Sequence, residues 1–322
     1  MAKNNRFMLV TLMVVLSILS VSCSTGAMAN IRTVEPLASP TIANTATSSA
    51  TPFPAMTNTP IVIPPSYTPT TTFTPTPTST PIPTDTPIPT DTPEFVWNDA
   101  GHVIAPILLY HHVSDAGNGN RYYVTPADFR TQLEALRDWG YTSITISDMV
   151  DVLVNGGNLP PRPVVITFDD GNVDIYQYAF PIMRDMGFVG TFYIVANRLQ
   201  SKYFVNVEQI QEMVNDGWEI GSHAMTHSDL TLDYSTVNYE VAQSRAILED
   251  ASGQPINTFA YPYGLTDEFI TNKVSEYGYH AGMGLGSSWE HTLGTLFYLS
   301  RIEIQGSYSM TTFAAHLPWS NR

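Results

Sequence analysis

Asp169 and Asp170 stand side by side at the end of the apolar run Pro163-Val164-Val165-Ile166, in the string Thr167-Phe168-Asp169-Asp170-Gly171. Side chains alternate faces along a strand, so neighbouring carboxylates take different tasks only where the pleat breaks and the backbone turns. Gly171 permits that turn. Further along, the strand-like stretch Trp218-Glu219-Ile220-Gly221-Ser222 runs straight into His223-Ala224-Met225-Thr226-His227. Two imidazoles four apart converge on one ion from a helical turn or a tight loop. Joined by one carboxylate they form a donor set for zinc or a similar first-row ion, with a coordination position left for water. Taken singly, the aspartates read as helix caps and the histidines as loop residues. Together, each pair at the end of a predicted strand, they read as a site.

The elements that must position these residues alternate. A first strand is expected from Ile104 to Leu109, ending in Tyr110-His111-His112. A helix follows, with Thr125 as N-cap, Pro126 at its first position, Phe129, Leu133 and Leu136 on one face, and Gly140 at its end. Strands are expected near Ser143 to Ile146, Val164 to Phe168, Thr191 to Val195, Glu219 to Ser222, Thr258 to Tyr261, Tyr279 to Met283 and Tyr298 to Ile304. Helices are expected near Asp174 to Met186, Val207 to Asp216, Thr236 to Asp250 and Asp267 to Tyr277, several closed by glycines at 187, 217 and 278. This rhythm means parallel strands with helical crossovers, an α/β architecture that keeps its chemistry at the carboxyl ends of the strands.

Three ordered motifs resemble the polysaccharide deacetylase domain, also called the NodB homology domain or carbohydrate esterase family 4. Thr167-Phe168-Asp169-Asp170-Gly171 is similar to the first, His223-Ala224-Met225-Thr226-His227 to the His-Ser/Thr-x-x-His second, and Phe259-Ala260-Tyr261-Pro262-Tyr263-Gly264 to the third. The resemblance implies a distorted (β/α) barrel of about seven parallel strands, occupying residues 99–322. It implies hydrolysis of an acetyl group on a sugar. Asp169 matches the general base, and Asp170, His223 and His227 match the ligands of a divalent metal, zinc first. Tyr261, with Pro262 and Tyr263 in the same loop, matches the segment that lines the groove and gives a backbone N–H to the oxyanion. The implied partner is an acetylated polysaccharide. N-deacetylation of an N-acetylglucosamine glycan leads, beside an O-acetyl (acetylxylan-type) esterase and a catalytically silent carbohydrate binder.

Departures from the family pattern set further expectations. Ala224 replaces a Ser or Thr hydroxyl that would help fix the histidine loop. Ala260 stands where many members carry an arginine paired with the base, and Leu299-Ser300-Arg301 stands where the family has a late Leu-x-His proton donor. Arginine does not release its proton at working pH. Arg301 is therefore the expected partner that orients Asp169, and His111 or His112 the replacement acid, with His112 the named candidate beside a buried, non-catalytic alternative. His291 and His316 are expected at the surface and His280 in the core. Trp289 and Trp319, in late loops, are candidates for stacking on sugar.

Residues 1–29 read as an export signal: Lys3 and Arg6 precede the apolar run Phe7 to Val21. Cleavage before Cys23 would leave a lipid-anchored N-terminus, and Ala27-Met28-Ala29 offers an ordinary processing site. Cys23 is the one cysteine of the chain, which favours lipidation. Residues 30–98 form a Thr/Pro/Ser-rich disordered linker with a repeat at Thr80 to Asp85 and Thr86 to Asp91. If stiff, it reaches on the order of 150–200 Å. A net charge of −15, from 29 acidic and 14 basic residues, argues against nucleic acid and anionic membrane surfaces as partners. The chain is expected to be a monomer outside the cytoplasm, meeting the membrane only through its N-terminus.

Overall fold

The structure, a computed structural model, describes residues 95–320. The export signal, Cys23 and nearly all of the linker lie outside the described residues. Chain order runs β1 (Val96–Asn98), β2 (His102–Ile104), β3 (Ile107–Tyr110), β4 (His112–Val113), β5 (Tyr123–Val124), α1 (Pro126–Asp138), β6 (Thr142–Ile144), α2 (Ile146–Asn155) and β7 (Gly157–Leu159). From β8 (Pro163–Phe168) strand and helix alternate through α3 (Phe180–Asp185), β9 (Thr191–Ile194), α4 (Val207–Asn215), β10 (Glu219–Ser222), α5 (Ser244–Ser252), β11 (Thr258–Ala260), α6 (Glu268–Glu276) and β12 (Ala281–Met283). β13 (Glu290–Thr292), β14 (Ile302–Glu303) and α7 (Met310–Ala315) complete the order.

Seven strands form one parallel path, β12-β11-β10-β9-β8-β3-β14, with β6 beside the first half of β8. The sheet curls until its edges meet. Leu299 bridges Met283 in parallel, and the N–H groups of Gly284 and Gly286 donate to Leu299 O and Arg301 O at 2.9 Å each. On its other side the same segment pairs with β3 through Ile302 and Glu303. The expected barrel of about seven parallel strands is the observed one.

All six residues of β8 are buried, because one face looks into the lumen and the other under the helices. Val165 packs inward with Ile107, Tyr193, Ala260, Met283 and Leu299. Val164, Ile166 and Phe168 pack outward under α1 and α3 residues such as Phe129, Leu133 and Phe180. Continuing this alternation sends Thr167 and Asp169 inward.

Several expected elements are corrected. The first strand is split into β2 and β3 at Pro106, which has no N–H for a ladder. The helix α2 follows β6 directly and was not anticipated. Its signal is Thr145-x-x-Asp148, a capping box in which the Thr145 side chain accepts from the Asp148 N–H and the Asp148 carboxylate accepts from the Thr145 N–H. The linker ends earlier than residue 98, since β1 pairs antiparallel with β7 and belongs to the folded unit. The last strand is regular only at Ile302–Glu303 rather than from Tyr298 to Ile304. No helix among the described residues is long and apolar enough to cross a membrane.

Candidate active site

The carboxyl ends of β8, β10 and β11 meet at the barrel mouth, around a cavity of about 380 Å3. Asp169 follows β8, and its N–H donates to Tyr110 O at 3.0 Å, so the carboxylate hangs inward and is 2 % exposed. Asp170 then takes φ +76 and turns its own carboxylate to a different place. Gly171, at φ +84, makes that turn possible: a Cβ there would lie 2.9 Å from the Ile194 side chain.

Arg301 lies across the lumen from Asp169. Its two terminal nitrogens donate to Oδ1 and Oδ2 of Asp169 at 2.6 and 2.8 Å, a planar two-point contact buried at 1 % exposure. Its Nε donates to Gly284 O at 3.2 Å. Burial alone would push the Asp169 carboxyl upward, but the Arg301 guanidinium, followed by His223, holds it down at about 2.

Asp170, His223 and His227 each offer one ligand atom, and these atoms lie within 4.8 Å of one another. His223 Nδ1 sits 2.8 Å from Ala260 O, which holds the proton on Nδ1 and leaves Nε2 free to bind. His227 Nε2 is 3.5 Å from Asp170 Oδ1. Burial, then the neighbouring His223, pushes the His227 imidazole down to about 4, so it is neutral and able to ligate at ordinary pH. Two neutral imidazole nitrogens and a carboxylate oxygen on one side of an open cavity fit a divalent ion.

The backbone around this set is strained. Among the described residues, six non-glycine residues have positive φ, and four of them, Asp170, Ala224, His227 and Tyr263, are in the site. Such conformations persist where their surroundings hold them. For the histidine loop the holder is Glu240, a buried carboxylate that accepts from Met225 N–H at 3.0 Å, Thr226 N–H at 2.9 Å and Thr226 Oγ1 at 2.6 Å. The hydroxyl missing at Ala224 is thus made up by an acid from the turn before α5.

Other expected residues are placed differently. Tyr261 N–H donates to Met283 O at 3.1 Å, so it is a sheet amide and not an oxyanion donor. Pro262 has no N–H, and the N–H groups of Gly264 and Leu265 turn back onto Tyr261 O and Pro262 O. Tyr263 N–H is the amide of this loop with no backbone acceptor among the described residues. His112 lines the cavity, but its Nδ1 is held by Asp174 at 2.8 Å and its ring lies flat on Tyr123. His111, its ring 4.7 Å from that of Tyr122, feels the charges of Asp169 and Asp170, and its Nδ1 is buried without a partner among the described residues. Burial lowers its pKa, partly opposed by the two aspartates. Both histidines line the cavity, and His111 is the one whose ring is not engaged by a carboxylate.

His291 is buried, not superficial, with Nε2 3.0 Å from Ala105 O. His280 is exposed, not in the core, because β12 starts at Ala281, two residues later than expected. His316 lies against Tyr308 near the surface. Trp289 and Trp319 do not line the cavity; Tyr122 and Tyr263 do. Trp319 packs on Tyr141 instead. Arg198, whose Nη1 is 3.4 Å from Asp170 Oδ1, went unnoticed in the sequence, where only its position after β9 pointed to the barrel mouth.

Residues 156–282 match the family model described as polysaccharide deacetylase. YxkH of Bacillus subtilis (strain 168), whose name assigns it to the polysaccharide deacetylases, is 27 % identical over 66 % of this chain and 75 % of its own length. The poly-beta-1,6-N-acetyl-D-glucosamine N-deacetylase of Staphylococcus epidermidis is 26 % identical over 51 % of this chain and 62 % of its own. Among solved structures, a polysaccharide deacetylase from Bacillus cereus superposes with a TM-score of 0.60 at 25 % identity, covering 67 % of this chain and 69 % of that one.

Proposed function

From the premise that this chain belongs to the polysaccharide deacetylase family of hydrolases, we propose that it removes N-acetyl groups from an N-acetylglucosamine-containing polysaccharide, with Zn2+ held by Asp170, His223 and His227. The convergence of those three ligand atoms beside the Arg301-clamped Asp169 carries this reading. A silent binder would have no use for a metal site and a separate buried carboxylate together. The N-deacetylase named for poly-beta-1,6-N-acetyl-D-glucosamine supports the choice of an amide over an ester. Two nitrogens and one oxygen in a site open to water favour zinc.

Amide hydrolysis needs a polarised carbonyl, an acceptor for water's proton and a donor for the departing nitrogen. The ion, when bound, supplies Lewis acidity toward the acetyl carbonyl and makes water easier to deprotonate. Asp169 takes the proton as water adds to the carbonyl carbon, and Arg301 keeps that carboxylate ionised and correctly aimed. Tyr263 N–H meets the negative charge that develops on the carbonyl oxygen. As the C–N bond breaks, the departing nitrogen takes up a proton through His111, replenished by the one that Asp169 drew from water, leaving acetate and a free amine.

The two aspartates separate this mechanism from its rivals. Asp169→Asn keeps the three ligands, so it should bind metal normally and lose about 10²–10⁴-fold in turnover. Asp170→Ala should lose metal and activity together. Bound metal and acetate release measured on the same samples decide it. A fully active Asp169→Asn protein excludes that base, and wild-type protein that holds metal yet releases no acetate from any acetylated glycan is a binder.

A further inference from the structure

A second cavity, of about 330 Å3, adjoins the catalytic one, and the two share Asn120, Arg121 and Tyr123. Its walls carry hydroxyl, amide and carboxylate groups, from Ser114, Asp115 and Asn118 on the loop between β4 and β5 and from Ser307 after β14. The two walls are pinned at a set spacing. Gly306 N–H donates to Arg121 O at 2.9 Å, and a Cβ at Gly306 would lie 1.8 Å from Tyr123 O, so only glycine allows this approach.

Strand alternation turns Arg301 and Glu303 to the same cavity, since Ile302 and Ile304 pack outward. Glu303 reaches the junction of the two cavities, where its Oε1 is 3.5 Å from Arg121 Nη2. Arg121 lies over the Tyr122 ring, and its Nη2 donates to Tyr122 Oη at 2.9 Å. The passage is thus bordered by polar side chains, and its ion pair, with Arg121 54 % exposed, is of the weak surface kind.

We propose that the second cavity is a further sugar subsite for the same glycan, so that the residue losing its acetyl group lies within a chain whose next sugars cross the loop between β4 and β5. This rests on the deacetylase reading given above. Amides and hydroxyls that both donate and accept match the ring hydroxyls of a pyranose, whereas an apolar ligand would leave them unpaired. A polyanion would meet Asp115 and Glu303. The occupant is therefore a neutral or amino-bearing sugar chain.

The test compares acetate release from β-linked N-acetylglucosamine oligomers, disaccharide to hexasaccharide, by the zinc-loaded enzyme and two variants. Ser307→Trp fills the trough, and Asn118→Gly removes an amide while keeping a backbone that lies at φ +47. The wild-type kcat/KM should rise with length, mainly through KM. Both variants should treat the disaccharide as the wild type does and lose about tenfold on the hexasaccharide, equivalent to about 1.4 kcal/mol. A flat length profile, equal losses on short and long oligomers, or no loss in either variant would overturn the proposal. If no oligomer releases acetate, the deacetylase reading fails. The subsite is then judged by calorimetric binding of the hexasaccharide, which Ser307→Trp must weaken if the proposal is right.

Discussion

At the scale of single residues, the pair Asp169 and Arg301 stores the most electrostatic consequence. Both are almost fully buried, and each is the other's counter-ion. Truncating one member of such a pair leaves an uncompensated charge, a loss of about 3–5 kcal/mol. Arg301→Met should therefore destabilise the protein by about that much in urea unfolding. Adding Asp169→Asn should recover part of the loss, because the stranded charge is then gone. A single variant as stable as the wild type would mean that Asp169 is neutral or solvated when Arg301 is absent. The arrangement also accounts for Ala260: the guanidinium that pairs with Asp169 arrives from the strand that closes the barrel, so none is needed at β11.

At the scale of elements, three strand ends do the positioning and one helix entry secures it. β8, β10 and β11 are neighbours through β9 in the parallel sheet, so their carboxyl ends deliver Asp169 and Asp170, His223, and the Tyr263 loop to one mouth. The histidine loop leaves β10 through a residue at φ +64, Ala224, and is tied down by Glu240. Partners that orient metal ligands are commonly worth about 10–100-fold in affinity. Glu240→Ala should weaken zinc binding by that factor in a chelator competition while Asp170, His223 and His227 remain intact. Unchanged affinity would show that the loop is held without the carboxylate.

For the whole molecule, the buried His291 sets an acid limit. It joins β13 to the segment before β3, far along the chain from the catalytic motifs. Burial, against the opposing hydrogen bond to Ala105, pushes its imidazole down to about 4. With the folded pKa below the unfolded value of about 6.5, the unfolded state binds more protons in between, so stability rises with pH there. The contribution is complete above about pH 6.5 and drains away as pH falls toward 4, with about 2 kcal/mol lost by pH 5. His291→Asn should flatten this part of the stability curve. Denaturant melts of both proteins at pH 7 and pH 5 check it: a constant difference between them would rule out the titration of His291 as the cause.

What the sequence by itself determined was whatever depends on local order along the chain. The apolar runs ending in Asp169 and in His223 marked two strand ends, and Thr125 with Pro126 marked the start of α1. The parallel strands with helical crossovers followed from the alternation of patterns, while the count of about seven came with the family resemblance. Capping was legible too, though Thr145 and Asp148 went unread and α2 with them. Tertiary structure decided what depends on pairing across long separations. Arg301 meets Asp169 because the last strand closes the barrel, although the chain between them is long. Tyr261 loses its N–H to β12, and His112 turns to Asp174 while the ring of its neighbour His111 is not engaged by a carboxylate. Each of these turns on which partner fills a hydrogen bond. One residue of register exchanges inward for outward, a choice made by the packed sheet rather than by residue type.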